Sequence, residues 1–207
     1  TKGHFSATSE MGARFKCESL NDLTANDICK LAIEKGCSYV GRSFAAYPRQ
    51  LLAIFKGAIS HNGTAVVDIL SPCVTFNDHD TSMKSYRWGK EHEELLHQID
   101  FIPHFEQIPA VDYAEGEMQQ VELHDGSVIQ LRKVDQDYVP TNNAQAFKML
   151  RETREAHEVL TGLIYIDPSA SSFGERLNLV DEPLALLQEE QLRPGPEVLD
   201  ELMSEFM

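Results

Sequence analysis

Three short stretches hold residues whose types and spacing could do chemistry. In "SPCVTFN" (71–77) a proline and then a lone cysteine follow "GTAVVDIL", a run that reads as a buried strand. Pro72 removes a backbone donor and restricts the chain before the thiol, which gives Cys73 a stiff mount. The exit of such a strand is where α/β proteins keep their ligands. One thiol cannot hold a metal alone, so on these residues Cys73 has two readings: a structural thiol, or one ligand of a set completed elsewhere. The opening "TKGHFSATSEMG" combines Lys2, Gly3 and several hydroxyls. It reads either as an anion-binding loop of backbone N–H groups, hydroxyls and an ammonium, or as a solvated stub. "NDHD" (77–80) groups two carboxylates with an imidazole, but its spacing matches no metal motif, and it reads as a turn. His61 reads as a cap on the last carbonyls of a helix. Trp88 reads as a packing anchor rather than a stacking platform.

Two alternating pairs of elements are expected to position these residues. "SLNDLTANDICKLAIEKG" (19–36) has the pattern of a helix, with Thr24 or Asn21 as N-cap and Gly36 as the stop. "CSYVGRSFA" (37–45) reads as a strand and its exit. Pro48 then opens "PRQLLAIFKGAISH", at the first-turn position that proline favours. Apolar residues at 51, 52, 55, 58 and 59 predict the buried face of that helix. "AVVDIL" follows, and its continuous apolar run predicts burial on both faces. Helix, strand, helix, strand amounts to half of a doubly wound parallel sheet with one edge unfinished. Cys29 and Cys37 fall inside these patterns and read as small core hydrophobes.

Beyond residue 84 the pattern changes, and a soft boundary falls near residue 80. "KSYRWGKEHEELLHQI" predicts a loop leading into a short helix. "MQQVELHDGSVIQLRKV" predicts a hairpin turning at Asp125-Gly126. "TNNAQAFKMLRETREAHEVL" (141–160) predicts a helix capped by Thr141 or Asn142, and "TGLIYID" a further strand. The last segment reads as an acidic, partly helical tail.

Charge and composition narrow the possible functions. A net charge of -15 argues against nucleic acid, since phosphate neutralisation needs a surplus of Lys and Arg. The imbalance is uneven: residues 1–60 carry +3 and the remainder -18. A mildly basic front suits small anions or an acidic partner. No apolar run is long enough for a transmembrane helix. The four cysteines form no CxxC pair and no zinc-finger spacing, and with no secretory leader they are expected to be reduced thiols of a cytoplasmic protein.

"TKGHFSATSEMG", "GCSYVGRSFAAYP", "GTAVVDILSPCVTFN" and "TGLIYID…LNLVDEPLALL" occur in the order of landmarks in one family. The chain resembles the β subunit of 2-oxoacid:ferredoxin oxidoreductases, the 2-oxoglutarate type in particular, over nearly its whole length. The resemblance implies that residues 1–80 are half of a thiamine diphosphate-binding fold and that residues 81–207 are the α+β domain that ends the β chain. It also implies oxidative decarboxylation of a 2-oxoacid on thiamine diphosphate with Mg2+. Electrons would pass through a [4Fe–4S] cluster to ferredoxin, and coenzyme A would take the acyl group. An α subunit would be the partner. By the same resemblance Cys73 is the fourth cluster ligand, Thr1 and Gly3 lie beside the cofactor, and Lys2 contacts the 2-oxoacid or coenzyme A. His4 stands where the family commonly has Gln. The chain starts at Thr1, and the Gly-Asp-Gly motif and three other cluster cysteines are expected upstream of it. It therefore reads as a fragment, inactive alone. A non-catalytic assembly module for a partner subunit is the alternative reading.

Overall fold

The structure is a computed structural model, and it describes residues 5–13, 20–75, 78, 80, 85–106, 118–133, 138–193 and 195–204. The chain forms two compact units, Thr1–Ser171 and Ser172–Met207.

In the first unit, α1 (Ile28–Glu34) leads into β1 (Tyr39–Phe44), α2 (Pro48–Ser60) and β2 (Ala65–Leu70). After α3 (Tyr86–Glu91) come β3 (Glu93–Leu95), β4 (His97–Ile102), β5 (Met118–Glu122) and β6 (Val128–Lys133). Then α4 (Asn143–Glu155) returns the chain to β7 (Val159–Ile166). The four-stranded sheet has the order β2-β1-β7-β3, and β4-β6-β5 form a second, antiparallel sheet.

The first sheet is mixed, which corrects the expectation of a purely parallel half-sheet. β1 pairs parallel with β2, and β3 with β7, but β1 and β7 run antiparallel. The edge that looked unfinished is thus covered by β7, supplied from much later in the chain. β2 becomes the edge strand and is only half-buried. Its apolar run does not mark burial on both faces, whereas β1, in the middle, is buried throughout.

The core lies on both faces of this sheet. On one face α1 and α4 pack Cys29, Ile33, Ala146 and Leu150 onto Val40, Leu160 and Ile164. On the other, α2 and the antiparallel sheet pack Ile54, Ile99, Ile129 and Leu131 onto Tyr39, Leu163 and Ile166. Each buried tyrosine hydroxyl finds a carbonyl: Tyr39 donates to Ile54 O at 2.8 Å, and Tyr138 to Ile164 O.

α2 begins at Pro48 as its sequence predicts, yet it buries a different face. Ala53, Ile54 and Gly57 turn inward, while Leu52, Phe55 and Ile59 are exposed. Close approach explains the choice. A Cβ on Gly57 would lie 2.7 Å from Tyr39 Oη, and one on Gly41 of β1 would lie 2.8 Å from Ile54 Cγ2. The two glycines let helix and strand approach closely, and the stripe that contains them faces the sheet.

The N-cap of α1 is Asp27, not Thr24 or Asn21. Its Oδ1 accepts from the N–H groups of Cys29 (3.0 Å) and Lys30 (3.2 Å). Gly36, at φ 82, closes the turn after the helix as expected. The hairpin turns at Asp125-Gly126, where Gly126 has φ 77 and Asp125 Oδ1 accepts from Ser127 N–H at 3.0 Å. Asn142 caps α4 through Ala144 and Gln145.

In the second unit, a capping box of Ser172 and Glu175 opens α5 (Phe173–Arg176). A 3₁₀ turn (Leu184–Leu186), α6 (Glu189–Leu192) and α7 (Pro196–Ser204) follow. None of its described residues is buried.

Candidate functional site

At the carboxyl ends of β1 and β2 lies a cleft of about 410 Å³. Four segments remote in sequence build it. The opening loop gives Ser6, Thr8 and Glu10, and the β2 exit gives Ser71 and Pro72. α3 adds Ser85, Trp88 and Gly89, and the end of α4 adds Thr153, Arg154 and His157.

The floor is a buried ion triad. Arg42, the fourth residue of β1, donates from Nε to Asp68 Oδ2 at 2.8 Å and from Nη2 to Asp27 Oδ1 at 2.6 Å. Strand register puts Arg42 opposite Asp68, and helix capping puts Asp27 at the other end of the guanidinium. Burial opposes the Arg42 charge, but the carboxylates of Asp27 and Asp68 outweigh it and hold its pKa above the ordinary arginine value. The triad ties α1, β1 and β2 together beneath the cleft. Cys29 Sγ is 3.9 Å from Asp68 Oδ2, and burial pushes this thiol up to about pKa 12. At neutral pH it is a protonated, unreactive core residue, as its sequence pattern predicts.

The walls are latched by hydrogen bonds. Asn21, buried, donates from Nδ2 to the carbonyls of Ser9, Glu10 and Leu23. Its role is to fold the opening loop back onto the cleft rather than to cap a helix. Asn26 N–H also donates to Ala7 O at 2.8 Å. On the far wall Arg154 Nη2 donates to Ala25 O at 2.8 Å, linking α4 to the start of α1. Trp88 stacks on His92 with ring centroids 4.3 Å apart and planes at 10°. Gly89 is pressed against Phe44, the last residue of β1; a Cβ there would lie 2.5 Å from the ring.

Cys73 lies in the turn just past Pro72 and is exposed, with its carbonyl accepting from Asp78 N–H at 3.0 Å. The lip that carries it and the opening loop from Ser6 onward border the same cleft. Thr1, Lys2, Gly3 and His4 lie outside the described residues, as do Cys17, Asn77 and His79. Among the described residues no group of three His, Cys, Asp or Glu side chains could hold a metal ion. Cys73 is thus an exposed thiol one residue beyond the Ser71–Pro72 lip of the cleft. Such a thiol suits a ligand set whose other members come from elsewhere.

His61 departs from its sequence reading. His61 does end α2, but its ring is buried and its Nε2 pairs with Ser38 Oγ at 2.7 Å; burial lowers its pKa, against the opposing pull of Asp167. Trp88 is half-buried, packs on His92 and also lines the cleft. Sequence reasoning missed Arg42, Asp27 and Asp68. The available signal was a charge inside each of two apolar strands, "YVGRSF" and "AVVDIL", at positions that parallel pairing makes partners.

Fold and cleft together define an α/β protein with its candidate ligand site at the carboxyl ends of parallel strands. Its relatives by sequence are β subunits of 2-oxoacid:ferredoxin oxidoreductases. The chain is 41% identical over 80 residues to subunit beta of 2-oxoacid:ferredoxin oxidoreductase 1 from Aeropyrum pernix, a match over 38% of this chain and 25% of that protein. It is 32% identical over 111 residues to a β subunit from a Sulfolobus species (52% and 33%). A 2-oxoglutarate synthase subunit of Methanocaldococcus jannaschii is 32% identical over 77 residues (37% and 28%). These matches span a quarter to a third of the relatives' lengths. No family model matches the chain. Among solved structures, a 2-oxoglutarate:ferredoxin oxidoreductase from Magnetococcus marinus, with 2-oxoglutarate, coenzyme A and succinyl-CoA bound, has the same fold. The TM-score is 0.56 at 19% identity, over 88% of this chain and 50% of that one. Among the described residues no helix is long and apolar enough to cross a membrane.

Proposed function

We propose that this chain is part of the β subunit of a 2-oxoacid:ferredoxin oxidoreductase, with 2-oxoglutarate the favoured substrate. In this reading residues 1–80 are the C-terminal half of a thiamine diphosphate-binding domain and residues 81–207 end the β chain, with β3 and β7 of the later segment completing the sheet that β1 and β2 begin. Thiamine diphosphate with Mg2+ and a [4Fe–4S] cluster would supply decarboxylation and single-electron transfer to ferredoxin. Coenzyme A would accept the acyl group, and in the cytoplasm an α partner would make the enzyme whole.

The chain's own residues then have defined tasks. Cys73 gives one thiolate to the cluster from the lip after Pro72. Thr1 and Gly3 lie beside the thiamine, and the Lys2 ammonium binds the carboxylate of the 2-oxoacid or an anionic group of coenzyme A. Asn21 fixes the loop that continues from these residues, and the Arg42 triad keeps the floor rigid. The observation that carries this reading is the meeting of that loop, from Ser6 onward, and the Ser71–Pro72 lip just before Cys73 at one cleft.

The test is the cofactor content of the full-length protein purified without air. A brown protein with about four iron atoms and bound thiamine per β subunit is expected. A colourless, thiamine-free protein would contradict the reading and favour a non-catalytic assembly module, for which the exposed apolar residues of the second unit are the supporting observation.

A further inference from the structure

Arg42 sits inside β1, a strand buried along its whole length, and is only 8% exposed. Stability alone is a weak reason for a charge in that place. Replacing a buried ion network by well-packed apolar side chains is often neutral or stabilising. What sets Arg42 apart is where the two ends of its guanidinium lead.

Nε holds Asp68 at 2.8 Å, two residues before β2 ends at Leu70. A last backbone bond between the strands, Ala45 N–H to Leu70 O at 3.0 Å, follows. The Ser71–Pro72 lip and Cys73 come directly after it. Nη2 holds Asp27 at 2.6 Å. The neighbour of Asp27, Asn26, donates to Ala7 O at 2.8 Å, and Asn21 Nδ2 donates to the carbonyls of Ser9 and Glu10. One planar group therefore reaches from the strand that leads to Cys73 to the helix cap beside which the opening loop is folded. Asp27, Arg42 and Asp68 all line the cleft that these two margins border.

We infer that Arg42 is a positioning residue that fixes the spacing between the opening loop and the lip carrying Cys73. Under the function proposed above, on which this task rests, that is the spacing between the thiamine side of the site and the cluster thiolate. A lysine would keep the charge but could not hold two carboxylates with one rigid fork.

The test uses the full-length β subunit with its α subunit, comparing wild type with R42K and D27S. The serine still caps α1 but is too short to hold the guanidinium, so it carries the test if R42K does not fold. Spin labels on unnatural amino acids at Met11 and Val74, both exposed, report the distance from loop to lip. Wild type should give one narrow distance, and each variant a broadened or shifted one. In single turnovers with 2-oxoglutarate, cluster reduction per iron and thiamine bound should slow by at least about tenfold, as a small misplacement of reacting groups does. An unchanged distance in folded variants would overturn the inference. So would variants that lose stability or iron but keep the wild-type rate per loaded site, since that marks a merely structural role. Should the distance broaden in a protein that carries neither iron nor thiamine, the tie through Arg42 stands and the functional reading falls.

Discussion

Two cysteines in this chain stand at opposite extremes of burial. Cys29 is fully buried beneath the ion triad, and desolvation raises its pKa to about 12. Cys73 stands open to solvent at the end of β2. The difference between them was legible in the sequence, since one falls on the apolar stripe of a helix and the other follows a strand-ending proline. His97 was not legible. It is buried, and its Nε2 accepts from Leu163 N–H at 3.1 Å, beside the irregularity in the β1–β7 ladder at Val40/Gly41. A neutral imidazole acting as acceptor for a tertiary backbone contact leaves no mark on sequence periodicity. Burial lowers its pKa to about 4, from the usual histidine value of about 6.5. Between these values the unfolded chain binds the extra proton and the folded one does not. Stability from this group is therefore complete above pH 6.5 and is lost as pH falls towards 4, by about 3 kcal/mol at most. His97→Gln, which keeps an acceptor, should flatten that part of the stability–pH curve. An unchanged slope in denaturant titrations between pH 6.5 and 4 would contradict the role given to His97.

At the scale of elements, local signals did well where they act alone. Pro48 at the start of α2, Asn142 at the start of α4 and the Asp125-Gly126 hairpin each follow from chemistry within a few residues. Tertiary contacts decided the rest. "HEELLHQI" forms two strands after the short α3, because β3 pairs with β7 and β4 with β6, partners that arrive much later in the chain. The buried side of α2 was set by Gly57 rather than by counting apolar residues. That assignment gives a sharp prediction. In an isolated helix Gly→Ala is favourable by up to about 1 kcal/mol. Here the new methyl would meet Tyr39 Oη at 2.7 Å and Ile129 Cδ1 at 3.0 Å, and overpacking of this kind costs about 1–3 kcal/mol. Packing should win, so Gly57→Ala should lower the melting temperature. A rise would show that α2 does not approach β1 this closely.

At the scale of the molecule, the first unit converts remote segments into one cleft. Parallel pairing brings Arg42 opposite Asp68, capping adds Asp27, Asn21 folds the opening loop inward, and Arg154 ties in α4. The second unit contributes exposed, acidic, apolar-striped helices. The mixed sheet that carries the cleft could not be foreseen, because β7 is separated from β1 by some hundred residues and its direction is fixed only by packing. That cleft, with a thiol at its lip, supports reading the chain as the cluster-bearing part of an oxidoreductase. The direct test is the iron content of the full-length Cys73→Ser protein, set beside Cys29→Ser as a control. Loss of iron, colour and electron delivery to ferredoxin in the first, with iron retained in the second, is the expected result. Full iron occupancy in Cys73→Ser would contradict the account.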